Sequence, residues 1–271
     1  MADPPIITFL SDYGLTDDFV GICHGVIAGI CPAARVIDLT HGIPRHDVRA
    51  GAIVLGEAVA YLPIGVHLAV VDPDVGAQRR AIALRLADGR LLVGPDNGLL
   101  SLAARAGGGI AEAVDIARSR HRLQPVSATF HGRDIFAPVA AALAAGVALA
   151  DTGDPLDPAE VVTLDLPAPS RDGHTLVAHV RYIDRFGNLQ LNAGHEDLAG
   201  TGVKLGRPAL IKLPGGTSQR VHFVRTFADA GPDELLLYED AQRRLAVAVR
   251  HGDAAERLGL TVDAPLRIRP A

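Results

Sequence analysis

The chain has 271 residues, 48% of them hydrophobic, and a formal net charge of −5 at pH 7. That is enough for one large or two modest domains with filled cores, and it excludes a disordered chain. The acidic balance, with no block of like charge, argues against a nucleic-acid or anionic-membrane partner, which would select a clustered basic patch.

In chain order, "MADPPIITFLSDYG" lacks the basic and apolar regions of a signal peptide. The longest uncharged stretch, Ala137–Ala150, is shorter than the ~20 residues a spanning helix needs. The expectation is a soluble, cytoplasmic protein. "PIITFLS" reads as a buried strand by its β-branched content, and "TDDFVGICHGVIAGIC" as a helix with Thr16 or Asp17 as cap and Pro32 as stop. Cys23 and Cys31 on that helix suit neither a zinc motif nor a disulfide framework, and read as small core hydrophobes. "ARVIDLT" is a second strand, "HDVRAGAIVLGEAVAYL" a second helix and "VHLAVVDP" a third strand. "AIALRLADGRLLVGPD" reads as two strands about an Asp-Gly turn, and "NGLLSLAARAG" and "RDIFAPVAAALAAG" as helices. Strand–helix alternation with apolar strands predicts an α/β domain over residues 1–155, with a largely parallel sheet covered on both faces. The stretch 151–172 is proline-rich with little helical period, so 156–172 reads as a linker. Over 173–271, "HTLVAHVRYID", "NLQLNA", "PALIKLP", "QRVHFVRTF", "ELLLYED" and "RRLAVAVRHG" are short strands between turn residues, predicting a small antiparallel β-barrel.

Ligands of open α/β sheets bind at the carboxyl ends of the strands. Here the first strand ends in Asp12, Asp17 and Asp18, the second in Asp38, His41, His46 and Asp47, and the third in Asp72, Asp74 and Arg79. "TFHGRD" adds His131, Arg133 and Asp134 just before a helix. Asp17 and Asp47 are also good helix caps, and an Asp before Pro often only closes a turn. Turn chemistry does not require every strand to end this way, and a carboxylate-lined pocket suits a cationic ligand. Dinucleotide, P-loop, zincin and serine-hydrolase signatures are missing. Asp38, His41, His46 and Asp47 match no ligand spacing that would justify a metal site.

"FLSDYGLTDDFVG", "HGIPRHDVRAGA", "VVDPDVGAQRR", "GPDNGLL", "TFHGRDIFAPVAA", "YIDRFGNLQLN" and "TFAD" follow one another in the order found in one family. The chain resembles the S-adenosyl-L-methionine (SAM) hydroxide adenosyltransferases, adenosine-forming SAM hydrolases related to the fluorinase and chlorinase. The resemblance implies an α/β domain joined to a β-barrel, a homotrimer with sites at subunit interfaces, no cofactor or metal, and conversion of SAM and water to adenosine and L-methionine. By position, Asp12 would hold the ribose hydroxyls, Asp17 and Asp184 would face the methionine ammonium, and Asn188 would bond the adenine edge, with Phe227 and Phe130 against its ring. His46 stands where the fluorinase has a tryptophan on the ribose wall. Asp72, Arg79 and His131 match the trio assigned to activating water.

The same positions separate the subfamilies. Halide users resemble one another in having a tyrosine at the place of Asp72 and no histidine at that of His131, and the fluorinase has a serine and a threonine where Gly132 and Val75 stand. Asp74 replaces a usual glycine, and "YEDAQRRLAV" lacks the serine-containing turn expected on the methionine carboxylate. Whether Asp72 or His131 is the formal base stays open at this level. The competing readings are a halide-dependent adenosyl transferase, a non-catalytic SAM or adenosine sensor, and a metal-dependent hydrolase built on His41, His46 and Asp47.

Overall fold

Ile6–Ser11 (β1) and Val66–Val70 (β3) are mostly apolar and buried, and they run parallel in register from Ile7↔Val66 to Ser11↔Val70. Such strands are stable only when both sheet faces are covered, as they are in this computed structural model, which describes residues 3–271. The chain divides into two units, one reaching Leu164 and the other spanning Asp165–Ala271.

In the first unit Arg35–Thr40 (β2) pairs parallel with the other side of β1, and Leu91–Pro95 (β5) parallel with β3. Ala81–Leu86 (β4) then turns back antiparallel on β5, as the Asp88–Gly89 turn predicts, with Gly89 at φ 92. Ile110–Asp115 (β6) and Asp154–Leu156 (β7) continue antiparallel, giving the order β2-β1-β3-β5-β4-β6-β7. The sheet is therefore mixed, parallel in its β2-β1-β3-β5 half alone. β7 draws the first residue of the expected linker, Leu156, into the sheet edge.

Helices Phe19–Ile30 (α1) and Ala137–Ala144 (α4) cover one face, where Phe9, Leu68 and Val70 meet Val20, Ile27 and Phe136. Both free cysteines are buried in that core, as small apolar residues. Val48–Ala58 (α2) and Ser101–Ala106 (α3) pack against each other, and Gly51 lies so close to Leu99 that a β-carbon would stand 2.8 Å from its side chain.

In the second unit Thr175–Ile183 (β9), Leu189–Gly194 (β10), Arg244–Val249 (β14), Leu235–Glu239 (β13), Ser218–Phe223 (β12), Pro208–Lys212 (β11) and Pro265–Pro270 (β15) close a seven-stranded barrel. Every pair is antiparallel except β12–β13, which is parallel. Ser170–Asp172 (β8) folds back on β9, so a hairpin begins inside the expected linker. Closure removes the edges of the small sheet and encloses Leu176, Val180, Leu191, Ile211 and Val247. Ala254–Leu258 (α5) is capped by Asp253 and stopped by Gly259 in the left-handed region at φ 61. Among the described residues no helix is long and apolar enough to cross a membrane.

Candidate active site

The parallel strands β1, β2 and β3 end on the same edge of the sheet, so the residues after them are neighbours. The loop after β3 stays at that edge, because β4 starts there and runs back antiparallel. Asp72 at its beginning and Arg79 at its end are thereby returned to each other. The Arg79 Nε donates to Asp72 Oδ1 (2.8 Å) and its NH2 group donates to Oδ2, a bidentate pair with both side chains buried. The same NH2 group donates to His131 Nδ1 (2.8 Å). Gly76, at φ +81, permits the approach: a β-carbon there would stand 2.4 Å from the Ala128 carbonyl oxygen, on the segment that leads to His131.

His131 opens a helix whose first turn, Gly132–Phe136, is a π-turn leading directly into α4. Pro138 has no N–H to close an ordinary turn, and the wider one accommodates it. Asp134 anchors this start, accepting from Ser127 N (2.7 Å) and, bidentately, from Arg133 (2.6 and 2.9 Å). Against the cost of its burial, these donors hold its carboxyl below the usual range. Burial, then the Arg79 charge, pushes the His131 imidazole below its ordinary value. An arginine donates and never accepts, so Nδ1 carries the lone pair and the neutral ring bears its proton on Nε2.

A cavity of about 270 Å³ opens over this cluster, lined by Asp12, Tyr13, Asp17, Phe19, His46, Asp72, Phe130 and His131 among others. Asp12 Oδ2 accepts from the backbone N–H of His46 (2.9 Å), a residue held at φ 65. Gly14, at φ 69, donates to the His41 carbonyl (2.8 Å) and folds the β1 loop onto the β2 loop. Phe130 packs edge-on against Phe19 (5.2 Å between centroids) and Tyr13 (6.0 Å).

In the barrel unit the loop from β9 to β10 carries a second cluster. Asp184 Oδ1 accepts from the backbone N–H groups of Phe186 (2.8 Å) and Asn188 (3.0 Å), and Oδ2 accepts from the Asn188 amide (2.7 Å). That leaves the Asn188 side-chain oxygen as an acceptor. Phe227 packs on Tyr238 with centroids 4.8 Å apart. Burial, then the charges of Asp184 and Asp240, raises the Tyr238 phenol, which places Tyr238 in the field of this loop.

Residues 7–153 match the SAM hydroxide adenosyltransferase N-terminal domain, and residues 178–267 match its C-terminal domain. The chain belongs to the SAM hydroxide adenosyltransferase family. It is 51% identical over 270 residues to the (R)-S-adenosyl-L-methionine hydrolase of Salinispora tropica, covering 99% of each chain. It is 31% identical over 270 residues to the fluorinase of an Actinoplanes species, covering 90% of each. A crystal structure of an uncharacterized conserved protein from Thermotoga maritima superposes with a TM-score of 0.90 at 33% identity, covering 97% of this chain and 99% of that one.

In this family member the residues expected around the nucleophile meet: Asp72, Arg79 and His131 touch, and Asp12, Asp17, His46 and Phe130 line the cavity above them. Asp184, Asn188 and Phe227 belong to the barrel unit. Asp74 is exposed and is not among the cavity-lining residues. Neither Thr16 nor Asp17 caps α1: Asp18 takes the cap position without a side-chain bond, which leaves Asp17 on the cavity wall. Asp47 does cap α2, accepting from Ala50 N (2.8 Å).

The set His41, His46 and Asp47 does not assemble. His41 instead meets His24 and Asp38, whose Oδ1 lies 2.8 Å from His24 Nε2 and 3.0 Å from His41 Nε2. In the turn after Glu239, the N–H groups of Gln242 (2.8 Å) and Arg244 (2.9 Å) donate to the Asp240 side chain, so those amides are occupied within the turn. Tyr13 and Tyr238 were not singled out by sequence reasoning. For Tyr13 the signal was an aromatic residue wedged between an acid and a left-handed glycine.

Proposed function

We propose that the protein hydrolyses SAM to adenosine and L-methionine through attack of water on C5′, and that the carboxylate–guanidinium–imidazole cluster on the cavity wall activates that water. The observation that carries the reading is the geometry of Arg79, which fixes Asp72 with two hydrogen bonds and His131 with a third. The sulfonium leaves without protonation, so the difficulty lies with the nucleophile. Water is a poor one and must be held in line with C5′ and sulfur. As the O–C5′ bond forms, the C5′–S bond breaks and its electron pair stays on methionine sulfur. The attacking oxygen then becomes a strong acid, and a carboxylate is base enough to take its proton.

Asp72 is that base. His131 already bears a proton on Nε2 and donates it as a hydrogen bond, orienting the water rather than deprotonating it. A halide has no equivalent welcome. The wall presents a carboxylate and a neutral ring, while the guanidinium is spent on both of them.

Asp12 takes the ribose hydroxyls with the oxygen not used by His46, and Asp17 at the mouth faces the methionine ammonium, as does Asp184. Asn188 accepts from the adenine amino group, and Phe227 and Phe130 flank its ring, while His46 completes the ribose wall. The enzyme is read as a cytoplasmic homotrimer with sites at subunit interfaces that uses no metal or cofactor. Light scattering measures the assembly.

The deciding experiment is incubation with SAM in ¹⁸O-labelled water, free of halide and with a chelator present. Label in the 5′-hydroxyl of adenosine is the expected result. Intact SAM would overturn the reading in favour of a sensor, and restoration of turnover by an added metal would overturn its metal independence.

A further inference from the structure

An attack-ready water has four tetrahedral directions, and the cluster fills only some of them. One lone pair faces C5′, one proton goes to Asp72, and the second lone pair accepts from His131 Nε2–H. One proton is left without an acceptor, and a water free to swing about the other contacts spends little time in line. Among the polar residues that line the cavity beside this cluster is Tyr13. Tyr13 follows Asp12 at the end of β1, and its ring is wedged among Phe9 (6.3 Å), Phe19 (5.7 Å) and Phe130 (6.0 Å). Its hydroxyl rests directly on Gly132, where a β-carbon would stand 2.1 Å from it. Gly132 adjoins His131, and Tyr13, Asp72, His131 and Gly132 all line the same cavity.

Resting on the reading of Asp72 as base, we infer that the Tyr13 hydroxyl takes the fourth direction of the nucleophilic water, and that residue 132 is glycine to leave room for that hydroxyl. Burial, together with the negative charges of Asp72 and Asp12, raises the phenol well above its ordinary value. Tyr13 therefore keeps its proton at neutral pH. Its oxygen accepts from the water while its O–H points toward the carboxylates whose field it feels. A phenylalanine at the same place would preserve every ring contact and lose only this function.

The test compares Tyr13→Phe, Gly132→Ala and the double variant with the parent, together with Asp72→Asn. Single-turnover rates and SAM affinity are measured separately, and thermal melting serves as a fold control. Tyr13→Phe is expected to lower kcat about 10- to 100-fold while the Kd for SAM and the melting temperature stay within error, a split that a merely structural role would not produce. Gly132→Ala is expected to cost a similar factor, because its β-carbon displaces the hydroxyl. The double variant is expected to be no slower than Gly132→Ala alone, since with the hydroxyl gone the β-carbon meets the ring carbon at 3.1 Å instead of the oxygen at 2.1 Å. Parental turnover by Tyr13→Phe alongside an inactive Asp72→Asn would overturn this inference and leave the base assignment standing. Parental turnover by Asp72→Asn would overturn the base assignment itself. Losses that simply multiply in the double variant would overturn the pairing of Tyr13 with Gly132.

Discussion

The two units hold their polar groups in different ways. On the α/β unit, charged and polar side chains converge on a cavity: Asp72, Arg79 and the neutral His131 form one hydrogen-bonded cluster, with Asp12 and Asp17 around it. On the barrel, one acid is folded into its own loop by three donors, an amide oxygen is left as acceptor, and Phe227 packs at a tilt on the buried Tyr238. Fixed charge stabilises charge that develops during a reaction, whereas rings and a neutral amide recognise a base equally well before and after it. The first unit should therefore govern kcat and the second KM.

The largest effect should come from Asp72→Asn, which keeps the shape and removes the proton acceptor. Loss of at least about 10³ in kcat, roughly 4 kcal/mol in the barrier, is expected, with SAM affinity retained. Isothermal titration beside single-turnover kinetics checks both halves, and a rise in KM at unchanged kcat would erase the division between the units.

A second histidine in the α/β unit sharpens it. His67, in the middle of β3, is fully buried against Thr8 (2.9 Å), and burial, then the Arg90 charge, depresses its imidazole to about 4. Unfolded, it titrates near ~6.5. Above pH ~6.5 neither state is charged and the contribution is whole. As pH falls toward 4 the unfolded chain binds a proton that the folded one refuses, and stability drops by about 3 kcal/mol in total. Denaturant unfolding of the parent and of His67→Asn at pH 4.5 and 7.5 should show the steeper loss only in the parent, with no matching difference in the activity profile at neutral pH. Equal slopes would remove His67 from the account.

Much of this was legible in the sequence, for identifiable reasons. β1 to β3 announce themselves through β-branched residues, and apolar runs about the Asp-Gly turn give the β4–β5 hairpin. β6, "IAEAVD", alternates weakly and lacks aromatic residues, and β7 and β8 are three residues each, so pairing partners rather than propensity create them. The meeting of Asp72 with Arg79 was foreshadowed by their shared loop, since a strand returning at the same sheet edge brings the ends of that loop together. The His131 tautomer was not legible, because it depends on which ring nitrogen Arg79 reaches. Nor was the embrace of Tyr13 by Gly132, which depends on where a side chain just after β1 ends relative to the π-turn before α4.

The barrel half of the comparison is tested by Asn188→Ala. The change removes the proposed acceptor for the adenine amino group and frees Asp184 Oδ2 from its amide partner. A KM increase of about 30-fold, roughly 2 kcal/mol, is expected at nearly unchanged kcat. A fall in kcat comparable to that of Asp72→Asn would mean that the barrel takes part in the chemistry.

The smallest effect should come from Arg80, the neighbour of the arginine proposed to hold the water site. Arg80 points the opposite way from Arg79 in function: its Nε donates to Asp96 (2.7 Å) and its NH1 to Glu160 (2.9 Å), and Asp96 Oδ1 also accepts from Val162 N (2.8 Å). It thus clamps the segment that leaves the sheet after β7. Arg80→Ala strips the Asp96 carboxylate, only 2% exposed, of its cation while leaving the backbone donor. The pair is open to solvent on the Arg80 side, so the cost should be about 1–2 kcal/mol, a shift of a few degrees in Tm. Turnover per folded molecule should match the parent. A large loss of kcat with unchanged melting would show that two adjacent arginines share the water site, and the separation of chemistry from scaffold within this loop would fail.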